Sequence, residues 1–215
     1  MKLHAVIFDL DGVLVSTDSL HYLGWKRLAD EEGIFFDETI NHRLRGVSRM
    51  ESLDILLERS ERGYSPAEKT ALADRKNRYY RDLLDSLAPG DVLPGALELC
   101  RGLREKNIKL ALASSSRNSP LILEKTALAG WFDATADGND IQRSKPDPEV
   151  FLLAASRLGL LPENCIVFED AESGVEGAVN GGFPCFAVGA AQNDPRANWS
   201  AADLSAVTAE SLLAL

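Results

Sequence analysis

The spacing of apolar residues changes period several times along this 215-residue chain, and each change marks an element. Residues 4–8 (His4, Ala5, Val6, Ile7, Phe8) form a short β-branched run that ends in Asp9, Asp11 and Gly12. Such a run fits a strand buried on both faces, at the centre of a parallel sheet. From about residue 16 the pattern turns helical, predicting a helix over 18–33 with His21 and Trp25 four apart on one face. Ser48 and Glu51 form an S-x-x-E capping box ahead of Leu53, Leu56 and Leu57. Ser65-Pro66-Ala67-Glu68 repeats the box with proline at the first helical position, predicting a helix to about residue 87. Pro89, Gly90, Pro94 and Gly95 then punctuate the chain as a return hinge.

Beyond that hinge, helical and strand patterns alternate. Helices are predicted over 95–106, after a Ser119 cap followed by Pro120, and from Asp147-Pro148 to near Gly159. Strands are predicted over 109–113, 165–168 and 184–188. This alternation implies an α/β fold, a doubly wound parallel sheet with helices on both faces, whose ligands sit beyond the carboxyl ends of the strands. Residues 16–90 then form an inserted α-helical cap, leaving a core built from 1–15 and 91–215. Residues 189–215 carry no motif, and no internal repeat or low-complexity segment is present.

Composition narrows the class. The chain has 23 Lys+Arg against 33 Asp+Glu, net −10, with 45% hydrophobic residues. A charge of that sign argues against nucleic acid, whose phosphates are bound through clustered cations. No block of five like charges suggests a disordered tail. Residues 16–90 hold 12 basic and 14 acidic residues, so most of the acidity lies in the core pieces. Cys100, Cys165 and Cys185 are odd in number and widely spaced, which fits neither a disulfide framework nor a zinc pattern. The first apolar run is too short for a signal peptide or a membrane span. A cytoplasmic monomer without membrane partners is the expectation.

Four features fall at strand ends. Asp9-Leu10-Asp11-Gly12-Val13 follows the first strand and reads equally as an Asx turn or as a pair of working carboxylates. It is no EF-hand, because Leu14 and Leu20 stand where that loop needs Gly and Glu. Ser114 follows the strand over 109–113, Lys145 lies in Ser144-Lys145-Pro146-Asp147-Pro148, and Glu169-Asp170 follow the strand over 165–168. Ser114 and Lys145 each alone read as ordinary loop residues, whereas two adjacent carboxylates at a strand end would repel unless a cation, most naturally a metal, joined them. Together, on one sheet edge, they supply a nucleophile, a phosphate-binding hydroxyl, a cation and a divalent-metal site.

In that order these residues resemble the haloacid dehalogenase superfamily of phosphoryl-transfer enzymes. His21-x-x-x-Trp25, Arg45-Gly46-Val47-Ser48-Arg49, Ser52-Leu53, Arg75-Lys76-Asn77, Ala113 to Asn118 and Ser144-Lys145-Pro146 resemble its β-phosphoglucomutase branch, over about residues 1–188. The resemblance implies that Asp9 is a nucleophile forming an aspartyl phosphate and that Asp11 is the general acid and base. It implies Mg²⁺ at Asp9, Glu169, Asp170 and the Asp11 carbonyl. Ser114, Ser115, Ser116, Arg117, Asn118 and Lys145 would bind the phosphates. Thr17 would sit at the cap hinge, with His21 coupling closure to Asp11. Trp25, Gly46, Val47, Ser48, Arg49, Ser52, Lys76 and Asn77 would line the cap side of a sugar phosphate.

Two positions depart from the pattern: Ser16 replaces an acidic residue before Thr17, and Arg117 replaces a lysine. Superfamily motifs alone host many reactions. A sugar-phosphate phosphatase is the rival to a mutase, a silent phosphosugar-binding protein is a different class, and dehalogenation is disfavoured because it needs no Asp11. Phosphonate hydrolysis would need a Schiff-base lysine in the cap and is a remote third choice.

Overall fold

The structure is a computed structural model, and it describes residues 2–215. Six strands form one wholly parallel sheet in the order β3-β2-β1-β4-β5-β6. They are β1 (Ala5–Phe8), β2 (Lys109–Ala113), β3 (Ala134–Ala136), β4 (Cys165–Glu169), β5 (Cys185–Val188) and β6 (Trp199–Ala201). The central strand β1 pairs with β2 on one side and β4 on the other, with Phe8 opposite both Leu112 and Phe168. The strand order reverses at β1. A crevice opens there beyond the carboxyl ends, the usual place for a ligand in such a sheet.

Alternation within each strand divides the core into two layers. Val6, Phe8, Leu110, Leu112, Ile166, Phe168 and Val188 pack on one face. Ala5, Ile7, Ala111, Ala113, Val167 and Ala187 pack on the other. Across the first face run stacked rings, Phe8 to Phe168 at 5.4 Å, Phe168 to Phe186 at 4.7 Å and Phe186 to Trp199 at 6.5 Å between centroids. Helices α5 (Ala96–Glu105), α6 (Ser119–Lys125), α7 (Glu149–Leu158), α8 (Glu172–Asn180) and α9 (Ala209–Leu213) belong to the sheet-bearing part of the chain.

Between β1 and α5 lie four helices: α1 (Asp18–Glu32), α2 (Glu38–His42), α3 (Arg49–Leu57) and α4 (Pro66–Leu84). They enclose a third apolar cluster that includes Trp25, Leu28, Phe36, Leu53, Leu56 and Leu72. Both predicted capping boxes form, Ser48 with Glu51 and Ser65 with Glu68. Tyr80, Leu84 and Leu87 leave this cluster and pack with the sheet-side layer, so α4 spans both.

Several elements differ from the sequence expectation. Three-residue strands β3 and β6 have too few positions to show a period, and α2, α8 and α9 are likewise not foreseen. Residues 189–215, without a motif, supply the edge strand β6 and the core residues Leu204, Val207 and Leu212. Ser119 does not cap α6: it is the first helical residue, and its hydroxyl donates to the Ser116 carbonyl at 2.8 Å. The three cysteines are buried free thiols. Among the described residues, no helix is long and apolar enough to cross a membrane.

Candidate active site

A cavity of about 930 Å³ lies beyond the carboxyl ends of the strands, between the sheet and the four helices. Its floor is the end of β1. Asp9 is the residue after that strand, anchored by its amide donating to the Phe168 carbonyl at 3.0 Å. The chain then turns sharply at Gly12, with φ +80; a Cβ there would overlap the Asp170 carboxylate. Glycine is needed at that position both for the dihedral and for the close approach.

Lys145 is 1% exposed, and its ammonium donates to Asp9, to Glu169 and, at 3.2 Å, to the Ala113 carbonyl. Burial opposes its charge, but the two carboxylates hold its pKa above the ordinary lysine value. Glu169 is fixed further by accepting from the amides of Asp170 at 3.0 Å and Ala171 at 3.2 Å. One carboxylate oxygen each from Asp9, Glu169 and Asp170 lies within 4.8 Å of the others, and all three residues are buried. Three carboxylates and one ammonium leave two negative charges. Burial, with carboxylate repulsion added, raises the pKa of Asp9 and of Asp170 well above the usual range. The cluster is short of positive charge by about what a divalent cation brings, and its all-oxygen donor set suits one. The residues fit the metal.

Asp11 accepts a hydrogen bond from the Thr17 hydroxyl. Burial raises its pKa to about 6, against the opposing effect of that hydrogen bond. Thr17 is wholly buried and outside the cavity lining, so it touches the site through Asp11. Ser114 lies at the end of β2, where its hydroxyl accepts from the Ser116 amide at 3.1 Å. Ser115 lines the same loop with a buried hydroxyl that has no partner. Arg117 donates from Nε to the Gly138 carbonyl at 3.1 Å, and the Asn118 side-chain amide donates to Asn77 at 2.9 Å.

The helices supply the opposite wall. His21 and Trp25 from α1 face Lys76 and Tyr80 from α4. The Lys76 ammonium sits 3.0 Å from His21 Nδ1 and 4.6 Å from the Trp25 ring centre. Burial first, then Lys76 and Arg49, keep His21 well below the ordinary histidine pKa. Gly46, Val47, Ser48, Arg49 and Ser52 line the cavity as expected. Ser48, however, is committed to its box: its amide donates to Glu51 at 2.8 Å and its hydroxyl accepts at 3.2 Å. The Ser48 amide is therefore taken, and the cation beside this helix start that lines the cavity is Arg49. Its pKa is lowered by burial and then by the positive charge of Arg117, which lines the same cavity.

Arg75 turns away from the cavity and pairs with Glu31 and Glu32. Asp18, Arg45 and Tyr80 line the cavity without having been singled out for it. Tyr80 stands four residues after Lys76, a spacing that places both on one helix face.

Lys76 yields a pH prediction. Burial, then Arg49, lower its pKa from 10.5 to about 7. Between those values the unfolded chain carries a proton that the folded chain lacks, so this residue's contribution to stability rises with pH through that window. A phosphate dianion beside it restores the charge. Binding of a sugar phosphate at pH 8.5 is expected to take up close to one proton, and little at pH 6. Calorimetry in buffers of different ionisation enthalpy measures this, and Lys76→Met is expected to remove it.

A haloacid dehalogenase-like hydrolase family model matches residues 3–182. The chain is 46% identical to a Bacillus subtilis beta-phosphoglucomutase over 193 residues, covering 89% of this chain and 84% of that one. It is 35% identical to a Thermotoga maritima phosphorylated carbohydrates phosphatase over 98% of this chain and 97% of that one. The crystal structure of a Clostridium difficile beta-phosphoglucomutase superposes with a TM-score of 0.93 at 37% identity, covering 98% and 95% of the two chains. With its acidic cluster, its lysine and its serine loop at three adjacent strand ends, this chain belongs to the haloacid dehalogenase-like hydrolase family.

Proposed function

We propose that this protein is a phosphomutase that interconverts β-D-glucose 1-phosphate and D-glucose 6-phosphate through β-D-glucose 1,6-bisphosphate. The observation that carries the reading is that Arg49, Lys76 and Arg117 line the same cavity as Asp9, Asp11 and Asp170, so basic groups stand across from the acidic cluster. A hydrolase needs one phosphate site. A mutase must hold a second phosphate while the sugar turns round.

In the forward step a carboxylate oxygen of Asp9 attacks the phosphorus of the bisphosphate, and the bond from phosphorus to the sugar oxygen breaks. Asp11, protonated, gives its proton to that leaving oxygen. For the return step the sugar presents its other hydroxyl: Asp11 takes the proton, the oxygen attacks the aspartyl phosphate, and Asp9 is released. Thr17 orients Asp11 throughout. Lys145 keeps Asp9 placed and offsets its charge, and the loop from Ser114 to Ser116 holds the transferring oxygens. Mg²⁺, held by Asp9, Glu169, Asp170 and the Asp11 carbonyl, would neutralise the carboxylates and phosphate facing one another. Arg49, Arg117, Asn118 and Lys76 bind the distal phosphate, and His21, Trp25 and Asn77 meet the sugar.

Residues 16–90 act as the cap and the remainder as the core. The three-cluster packing supports that division, although Tyr80, Leu84 and Leu87 tie α4 to the core side.

A phosphatase is the second reading, favoured by the full-length similarity to the Thermotoga maritima phosphatase. One assay separates the two. With β-glucose 1-phosphate, magnesium and trace bisphosphate, glucose 6-phosphate is expected as the product in a coupled dehydrogenase assay. Free phosphate as the main product would replace the mutase with the phosphatase.

A further inference from the structure

Asp18, Arg45 and Ser173 have no part in the steps above, yet they meet beside the acidic cluster. Arg45 lies in the turn between α2 and α3. Its main-chain carbonyl accepts from the Ser173 hydroxyl at 3.3 Å, between residues 128 apart in sequence. Ser173 is in the first turn of α8, three residues after Asp170. The Arg45 guanidinium pairs with Asp18 at 2.5 Å. Asp18 opens α1 and is the neighbour of Thr17. Arg45 Nε is buried with no partner, so it is Asp18 that holds this side chain in place.

Packing at this point is tight. Gly46 has φ +71, and a Cβ there would overlap the Ser173 hydroxyl and come within 3.0 Å of the Ala171 methyl group. The cap backbone thus lies directly against the first turn of α8. A second hydrogen bond, from Asn118 to Asn77 at 2.9 Å, also crosses the cleft.

We propose that Arg45, held by Ser173 through its carbonyl and by Asp18 through its guanidinium, is a clasp that keeps the cleft closed over phosphorylated Asp9. The clasp decides whether a sugar hydroxyl or water takes the phosphoryl group. The inference rests on the mutase reading. In either transfer the incoming oxygen gives its proton to Asp11, an oxygen–phosphorus bond forms and the aspartyl bond breaks. Only the acceptor differs. Water is smaller than the sugar and fits wherever the sugar fits, so the chemistry at Asp11 cannot reject it; closure must do so. Asp18, Arg45 and Ser173 are positioning residues, acting through the fit of cap to core.

The test uses Ser173→Ala and Asp18→Asn in the full chain with magnesium, β-glucose 1-phosphate and trace bisphosphate. Two quantities are read: free phosphate released per glucose 6-phosphate formed, and amide hydrogen exchange over residues 43–49. Losing one hydrogen bond of the clasp is expected to raise the phosphate ratio about 10-fold and to speed exchange over that segment. Ser173→Ala removes a single hydroxyl at a half-buried position, so it carries the test if Asp18→Asn disturbs the start of α1. A phosphate ratio unchanged in Ser173→Ala overturns the proposal. If the wild-type protein itself releases only phosphate, the mutase reading fails, and the clasp is judged by exchange alone, where an unchanged rate overturns it.

Discussion

Asp9→Asn is expected to lower turnover by at least ~10⁴-fold while leaving the protein as stable as before, or more so. The amide keeps the shape of the carboxylate but cannot form an aspartyl phosphate, so no acceptor can be served. Stability moves the other way because Asp9 is one of three buried carboxylates sharing a single ammonium. Removing its charge relieves repulsion with Glu169 and Asp11, and Lys145 keeps its pair with Glu169. Steady-state rates and a thermal melt without magnesium measure both halves. Residual turnover above a few per cent of wild type would take the nucleophile's role away from Asp9.

Lys145→Ala is expected to damage both properties. It leaves Asp9 and Glu169 buried without their cation, and breaking a buried pair in this way costs about 3 to 5 kcal/mol. For a chain of this size that corresponds to a melting temperature lower by roughly 10 °C. Lys145 stays charged throughout the neutral range, whereas in the variant the uncompensated Asp9, whose pKa burial already raises, takes up a proton as the pH falls, so the loss is expected to be smaller at pH 6 than at pH 8. Magnesium should then raise the melting temperature of the variant more than that of the wild type, because the ion replaces the missing positive charge. Activity is expected to fall at least about 10²-fold even at saturating magnesium. An equal magnesium effect on the two proteins would mean that Lys145 and the ion do not share a charge-balancing role.

These two residues also show how much of the site was legible beforehand. Asp9, Ser114, Lys145, Glu169 and Asp170 were readable because each falls at or near a strand end or a helix start that the local pattern marks. A parallel sheet then brings those ends together whatever the details of packing. The capping boxes of α3 and α4 were readable for the same reason: Ser48 meets Glu51 within one turn. Ser48 also shows the limit. Its motif suggested an anion site, while the same motif, once folded, spends the amide on Glu51.

What depended on packing was harder to see. Thr17 reaches Asp11 because the chain doubles back after β1. The contact of Lys76 with His21 joins residues 55 apart in sequence, and neither residue's neighbours announce it. Tyr80 belongs to the cavity wall and the sheet-side core at once, a placement that helix periodicity alone cannot assign. Strands β3 and β6 are three residues each, shorter than any period that could reveal them.

The sequence by itself therefore determined the alternating architecture, the insertion after the first strand and the order of chemical groups along one sheet edge. All of these follow from periods and caps that act within a few residues. The tertiary structure alone decided the charge deficit of the acidic cluster, the lowered pKa values of His21 and Lys76 and the seating of Arg45 against Ser173. Those properties arise from burial and from contacts between distant segments, and such contacts exist only once the helices have docked on the sheet.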